Sequence, residues 1–439
     1  MKKLLLLWAL LSVACLGTAQ FTPCLYDLGL ENLEKQFPGY QERSQATIKK
    51  AVQQYRQQRS PNDEVLLIPV VVHVVWKEAA ENISDERIAA QIRVLNESYR
   101  RQNADTINTR VEFLEVAGDA RIEFDLVDII RVQTDTTFQP EASLFGEANL
   151  PDHVKQNALG GSDAIDPVNH LNIWVCALQP LTILGIESPI LGYAYPPAGL
   201  DNWPAETPIP ELALEGVVVD YRTVGDNETY EVPQVGELPM LGRTTVHEVG
   251  HYLGLRHTSG DGALAALGVP DCEADDGVAD TPNQGTQSQF NCDYMQNSCT
   301  DETDDLPDMV ENYMDYSRED CQNSFTKGQI EIMRAVLMGP RSELPVLNVS
   351  SAEETQASNA LTIYPNPSTG QFLVQPVERG ETTLYQYSVC DMLGRTIVSL
   401  SEGNLPLRLD LSNQPNGLYC LRMKAQGSEH WHSQQLLKQ

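Results

Sequence analysis

The chain has 439 residues, 41% of them apolar, and a formal net charge of −31. That length suits one large domain plus a smaller one, with enough apolar material for a real core. The acidic balance argues against nucleic acid or anionic lipid as partners, because the chain would repel both; its carboxylates suit calcium or basic substrates instead.

Residues 1–20, "MKKLLLLWALLSVACLGTAQ", open on Lys2 and Lys3, run through an apolar stretch and end in small residues. This is the pattern of a secretory signal peptide over 1–19, cleaved after Ala19. The run is short for a membrane span, so no transmembrane segment is expected in the mature chain. Export permits disulfides. Of nine cysteines, four cluster between 272 and 321 as a local framework whose spacing alone allows three pairings.

Residues 20–59 are polar and breakable, ending in "KKAVQQYRQQRSPND" across the boundary, and read as a pro-segment. The next stretch, "VLLIPVVVHVVW" (65–76), is a continuous β-branched run suited to a buried strand. After Ser84, an expected N-cap, Ile88, Ile92, Leu95 and Tyr99 recur at helical spacing. "RIEFDLV" (121–127) alternates as a half-buried strand, and "LNIWVCAL", "ILGYAY" and "GVVVDY" are further strand candidates. Within the first of these, Cys176 reads as a buried thiol. Helix returns at "TKGQIEIMRAVLMG". Over residues 60–344, strands plus long helices imply an α/β or α+β layered domain. A linker by composition follows at 345–360, and turn-punctuated β-rich segments over 361–439 suggest a small β-sandwich.

The stretch "TTVHEVGHYLGLRHTSG" (244–260) holds three of the chain's eight histidines. On a helix, His247 and His251 leave the same face and can bind one metal ion. Glu248 is rotated about 100° round that helix, placed to act as a general base without ligating. Gly254 permits a left-handed helix end, which turns the chain so that His257 can close on the same ion. Three imidazoles leave a fourth position open, the requirement for a catalytic zinc. A structural zinc in an adhesin or binding module would take four protein ligands instead. By average composition, HExxH alone arises by chance in roughly one chain of this length in a hundred; the added Gly and His cut that about a thousandfold. Downstream, "DMVENYMDYSREDC" supplies Met314 as an apolar floor beneath the metal and Tyr316 to reach the metal or a developing oxyanion.

The HExxHxxGxxH run followed by a Met-turn is the metzincin signature. With "DDGVADTP" and "ENYMDYSREDCQNSFTKGQ", the segment from about Ile68 to Leu344 resembles the pappalysin metzincins of peptidase family M43, nearest their small prokaryotic, ulilysin-like members. The resemblance implies an α+β metzincin zinc-protease catalytic domain over 60–344 with a mixed twisted sheet, a zinc helix and a lower subdomain, with substrate along an edge strand at "GYAY". It implies zinc on His247, His251 and His257, Glu248 as base, Met314 and Tyr316 as the Met-turn pair, and bridges Cys272–Cys299 and Cys292–Cys321. It further implies calcium on Asp276, Asp280 and Thr281, residues that read equally as a solvated acidic loop, and Asp320 at the base of the pocket for the side chain after the scissile bond. A carboxylate there favours Arg or Lys, so cleavage is expected on their N-terminal side. "QQYRQQRSPND" then offers self-cleavage before Arg56 or Arg59. Cys24 either caps the zinc and keeps the zymogen latent or is structurally idle.

Finally, "ALTIYPNPSTGQF", "VCDMLGRTIVSL", "NGLYCLRM" and "QQLLKQ" resemble the type IX secretion sorting domain of Bacteroidota. The implied partners are the type IX secretion machinery and protein or peptide substrates, and the implied location is outside the cell or on its outer surface. Cys390 and Cys420 depart from the usual appearance of this domain and either bond to each other or stay buried thiols.

Overall fold

The computed structural model describes residues 23–58, 64–142, 148–183, 186–197, 215–232, 235–260, 270–303, 305–347, 361–376, 384–391, 396–425 and 432–439. The expected signal peptide and residues 348–360 of the expected linker lie outside them. The chain divides into two compact units, Met1–Leu347 and Asn348–Gln439.

The first unit begins with two helices that the polar composition of residues 20–59 did not announce: α1, Tyr26–Gln36, and α2, Tyr40–Gln58. Leu30, Leu33, Tyr40, Ala51 and Tyr55 are buried. Their packing against the rest of the unit gives a weakly apolar segment a reason to be helical. Ala51 and Tyr55 meet Ala335 on α5, defined below.

The central sheet is built on β1, Leu66–Trp76, which pairs in parallel with β2, Ile122–Gln133, on one side and with β3, Leu171–Cys176, on the other. Strand β2 continues six residues past the expected 121–127 because it accompanies the whole of β1. The edge strand β4, Gly192–Ala194, runs antiparallel to β5, Val217–Asp220, which pairs in parallel with β3. The sheet is therefore mixed.

Helix α3, Asp85–Tyr99, starts after Ser84, whose side chain accepts from Arg87 N, a cap worth about 1 kcal/mol. Strands β6, Glu228–Val232, and β7, Gly236–Met240, form a hairpin that leads into α4, Arg243–Tyr252. Helix α5, Lys327–Leu337, opens on a capping box between Thr326 and Gln329. One apolar cluster joins Val70 and Val72 of β1, Ile88 and Leu95 of α3, Val246 and Val249 of α4, and Met333 of α5. This core fixes α4, which carries the histidine motif. Strand β8, Val346–Leu347, pairs with the start of β1, so the sheet takes in two residues that composition assigned to the linker.

Among its described residues, the second unit holds a three-stranded and a four-stranded antiparallel sheet. Phe372, Val374, Val389, Leu409, Tyr419, Leu421 and Leu436 form its core. Cys390 and Cys420 are register partners on neighbouring strands of the larger sheet.

Candidate metal centre and active site

Along α4 every residue is buried, so His247, Glu248 and His251 are held rigidly by the core beneath them. The helix ends at Gly254, whose φ of +93° only glycine adopts without strain. That turn brings His257 back to the other two rings. His251 Nε2 stands 3.0 Å from the Nε2 of His247 and 3.0 Å from that of His257.

The opposite ring nitrogens explain this orientation. His247 Nδ1 donates to the Tyr313 carbonyl at 2.7 Å and His251 Nδ1 to the Leu255 carbonyl at 2.9 Å. His257 Nδ1 faces Asp27 Oδ1 at 3.2 Å. With the protons placed there, three Nε2 lone pairs converge on one point, an arrangement that repels itself unless a cation sits among them. Tetrahedral zinc with about 2.0–2.1 Å bonds sets its ligand nitrogens about 3.3–3.4 Å apart, close to what is found. Burial holds His247 down to about 3 and His251 well below its ordinary value, with the neighbouring histidines acting in the same direction. Both rings are neutral and fit to ligate.

Met314 lies directly beneath α4: a Cβ added at Gly250 would meet its sulfur at 2.5 Å. The Tyr316 hydroxyl donates to His257 Nε2 at 3.0 Å. Glu248 is fully buried, and desolvation lifts its carboxyl to about 8 against the opposing hydrogen bond from Cys24. Gly192 on the edge strand leaves room for Glu248; a Cβ there would stand 2.8 Å from its side chain.

Cys24 completes the cluster. Its sulfur and a nitrogen of each histidine all lie within 4.8 Å of one another. The thiol donates to Glu248 Oε2 at 3.4 Å. Pro23 O accepts from Leu191 N at 2.7 Å, and Cys24 bridges Gly192 in parallel, so residues 23 and 24 are stitched to the edge strand. Tyr26 stacks on His251 with ring centroids 3.9 Å apart.

Comparison with known proteins now bears on these groups. Residues 227–338 match the family described as Pregnancy-associated plasma protein-A, peptidase family M43. Mature mirolysin from Tannerella forsythia in complex with a cleaved peptide is 37% identical in sequence, with a TM-score of 0.51 over 65% of this chain and 97% of that one. The chain belongs to the M43 metallopeptidases. A mutant of Tannerella forsythia promirolysin is 35% identical, with a TM-score of 0.55, and covers 74% of this chain and 97% of its own. An extracellular metalloprotease of Arthroderma otae is 28% identical over 264 residues, 60% of this chain and 75% of its own. Residues 362–438 match the secretion system C-terminal sorting domain. The chain is therefore a metalloendopeptidase that leaves the cell by type IX secretion, and its family implies zinc. Among the described residues no helix is long and apolar enough to cross a membrane.

In this M43 enzyme a cavity of about 40 Å³ opens beside His247 and Glu248. Its walls include Leu191, Leu238, Met240 and Phe290, with Asp315, Arg318, Glu319 and Gln322 also lining it. Asp320, the residue expected at the base of the pocket, forms a two-pronged pair with Arg318, which lines the cavity. The nearer Glu319 is committed to the start of α4, accepting from Leu241 N, Thr244 N and the Thr244 hydroxyl.

Disulfides join Cys272 to Cys299 and Cys292 to Cys321, with Cα atoms 5.6 and 6.0 Å apart. In the acidic loop, Asp276 accepts from Thr281 Oγ1 at 3.0 Å and from Val278 N at 2.9 Å. Asp280 instead accepts from Gly328 N at 2.9 Å, at the start of α5.

Asp27, Tyr26, Arg318 and Glu319 were not legible as site residues in the sequence. Asp27 carried a faint signal, an acid three residues after the suspected cysteine. The roles of the other three depend on contacts that spacing does not encode.

Proposed function

We propose that the chain is a zinc endopeptidase made as a self-activating zymogen that cleaves on the N-terminal side of Arg or Lys. The carrying observation is the convergence of three neutral histidines on one point, with Cys24 of the pro-segment beside them. Zinc held by His247, His251 and His257 would supply a Lewis acid that acidifies water and polarises the scissile carbonyl. Glu248 would take the proton from the attacking water and deliver it to the leaving amine. The Tyr316 hydroxyl, aimed at the centre, would donate to the oxyanion once substrate arrives. Substrate would add to the edge strand at Gly192–Ala194, which the pro-segment covers.

Cys24 would hold this enzyme latent by taking the open metal position as thiolate. Release would follow cleavage near the end of α2. The bond before Arg56 lies within that helix, and Arg56 is itself bound to Glu331 through Nε at 2.9 Å. With Arg56 held in this way, the bond before Arg59, which lies outside the described residues, is the better candidate. Asp276 and Thr281, with Asp280 nearby in sequence, would hold a structural calcium in a loop with little core of its own. N-terminal mapping of products from a mixed peptide library, with and without a chelator, tests the reading. New N-termini that are mainly apolar would overturn the specificity, and chelator-resistant cleavage would overturn the metal chemistry.

A further inference from the structure

The cavity beside Glu248 is lined by a cation of the chain's own. Arg318 Nε donates to Asp320 Oδ1 at 3.0 Å, and a terminal guanidinium nitrogen donates to Oδ2 at 2.8 Å. The two side chains are 40% and 39% exposed, so the pair sits at the rim, within reach of water. This two-pronged contact is how arginine recognises a carboxylate in a ligand. Arg318 therefore already makes to Asp320 the contact that a substrate arginine would make.

Beside Glu248, the carboxylates that line the cavity are Glu319 and Asp315, and neither substitutes for Asp320 in that role. Glu319 is spent on the backbone at the start of α4. Asp315 is buried, and its Oδ1 accepts from Gln284 Nε2 at 2.8 Å and Ser288 N at 3.1 Å.

We propose that Arg318 sets the substrate preference of this pocket: it occupies Asp320 at rest, and the side chain after the scissile bond binds by displacing it. The step is an exchange of ion pairs in which no covalent bond changes. The inference rests on the reading that Asp320 is the carboxylate for that side chain. Two consequences follow. The preference for Arg over an apolar residue is blunted, because each arginine must first break a pair while the apolar walls accept Leu without doing so. Discrimination between Arg and Lys is sharpened, because an ammonium cannot replace both contacts of the guanidinium it evicts.

The test uses the zinc-loaded enzyme after maturation and three peptides that differ only in having Arg, Lys or Leu after the scissile bond. Arg318→Gln, which keeps most of the stem, and Arg318→Ala should each raise the Arg-to-Leu ratio of kcat/KM. The expected rise is about two- to fivefold, the range open to a half-exposed ion pair, and carried mainly by KM. Both should narrow the gap between Arg and Lys, and Arg318→Lys should fall between wild type and Ala. Asp320→Asn should lower the Arg-to-Leu ratio and make a further change at 318 silent. If Asp320→Asn lowers the ratio while both Arg318 variants leave it unchanged or reduce it, the inference is overturned and the role of Asp320 stands. If Asp320→Asn leaves the ratio unchanged, the underlying specificity reading fails and takes the inference with it.

Discussion

The Cys24 thiol donates to Glu248 Oε2 at 3.4 Å across 224 residues of chain. One side chain near the start of the described chain thus meets both the three histidines and the group proposed as general base. Cys24→Ala should speed conversion of the purified zymogen, followed by the time course of the mature band and of peptide cleavage. Latency equal to wild type would end the proposal that the sulfur caps the centre, leaving obstruction of the edge strand by residues 23–25 as the sole restraint.

Glu248→Ala separates chemistry from metal binding, because Glu248 leaves α4 on a different line from the two histidines. The variant should keep zinc, measured by elemental analysis, while cleavage of a reporter peptide falls by about two to four orders of magnitude. Substantial residual turnover would reassign the base.

Maturation should depend on Arg59 more than on Arg56. Arg59→Ala should accumulate the uncleaved chain on a gel. Arg56→Ala should still mature, since Arg56 is paired with Glu331 within a helix that a protease cannot extend. The reverse pattern would show that the end of α2 opens before cleavage.

Calcium should raise the thermal unfolding midpoint of the wild type by a few degrees and leave Asp276→Asn unmoved. An equal shift in both would place any calcium elsewhere.

Asp315 makes stability depend on pH. Burial lifts its carboxyl from 3.8 to about 6 against its hydrogen bonds from Ser288 and Gln284. Between those values the folded state binds more proton than the unfolded one, so this group's contribution is full below about pH 4 and lost as pH rises through 6. The penalty at neutral pH is on the order of 2–3 kcal/mol. Asp315→Asn should therefore be more stable relative to wild type at pH 8 than at pH 4, read by chemical denaturation. A pH-independent difference would contradict this.

Much of the centre was legible because its determinants are local. The spacing from His247 to His251 is one helical turn, Gly254 marks the end of that turn, and the returning His257 follows within reach. Met314 and Tyr316 were legible only with that motif in hand, since a turn containing Met and Tyr is common by itself. Helices α1 and α2 were not legible, because their few apolar residues become a helix face only against partners such as Ala335.

What the sequence determined by itself is therefore the metal-binding helix, the strands of the buried sheet and the two-unit organisation, since periodicity, caps and turn residues act over a few positions. Tertiary structure alone decided that Cys24 reaches Glu248, that Asp27 faces His257, and that Arg318 lines the cavity while paired with Asp320. Each of those relations joins side chains whose directions are set by the packing of whole elements, and no local rule of spacing carries that information.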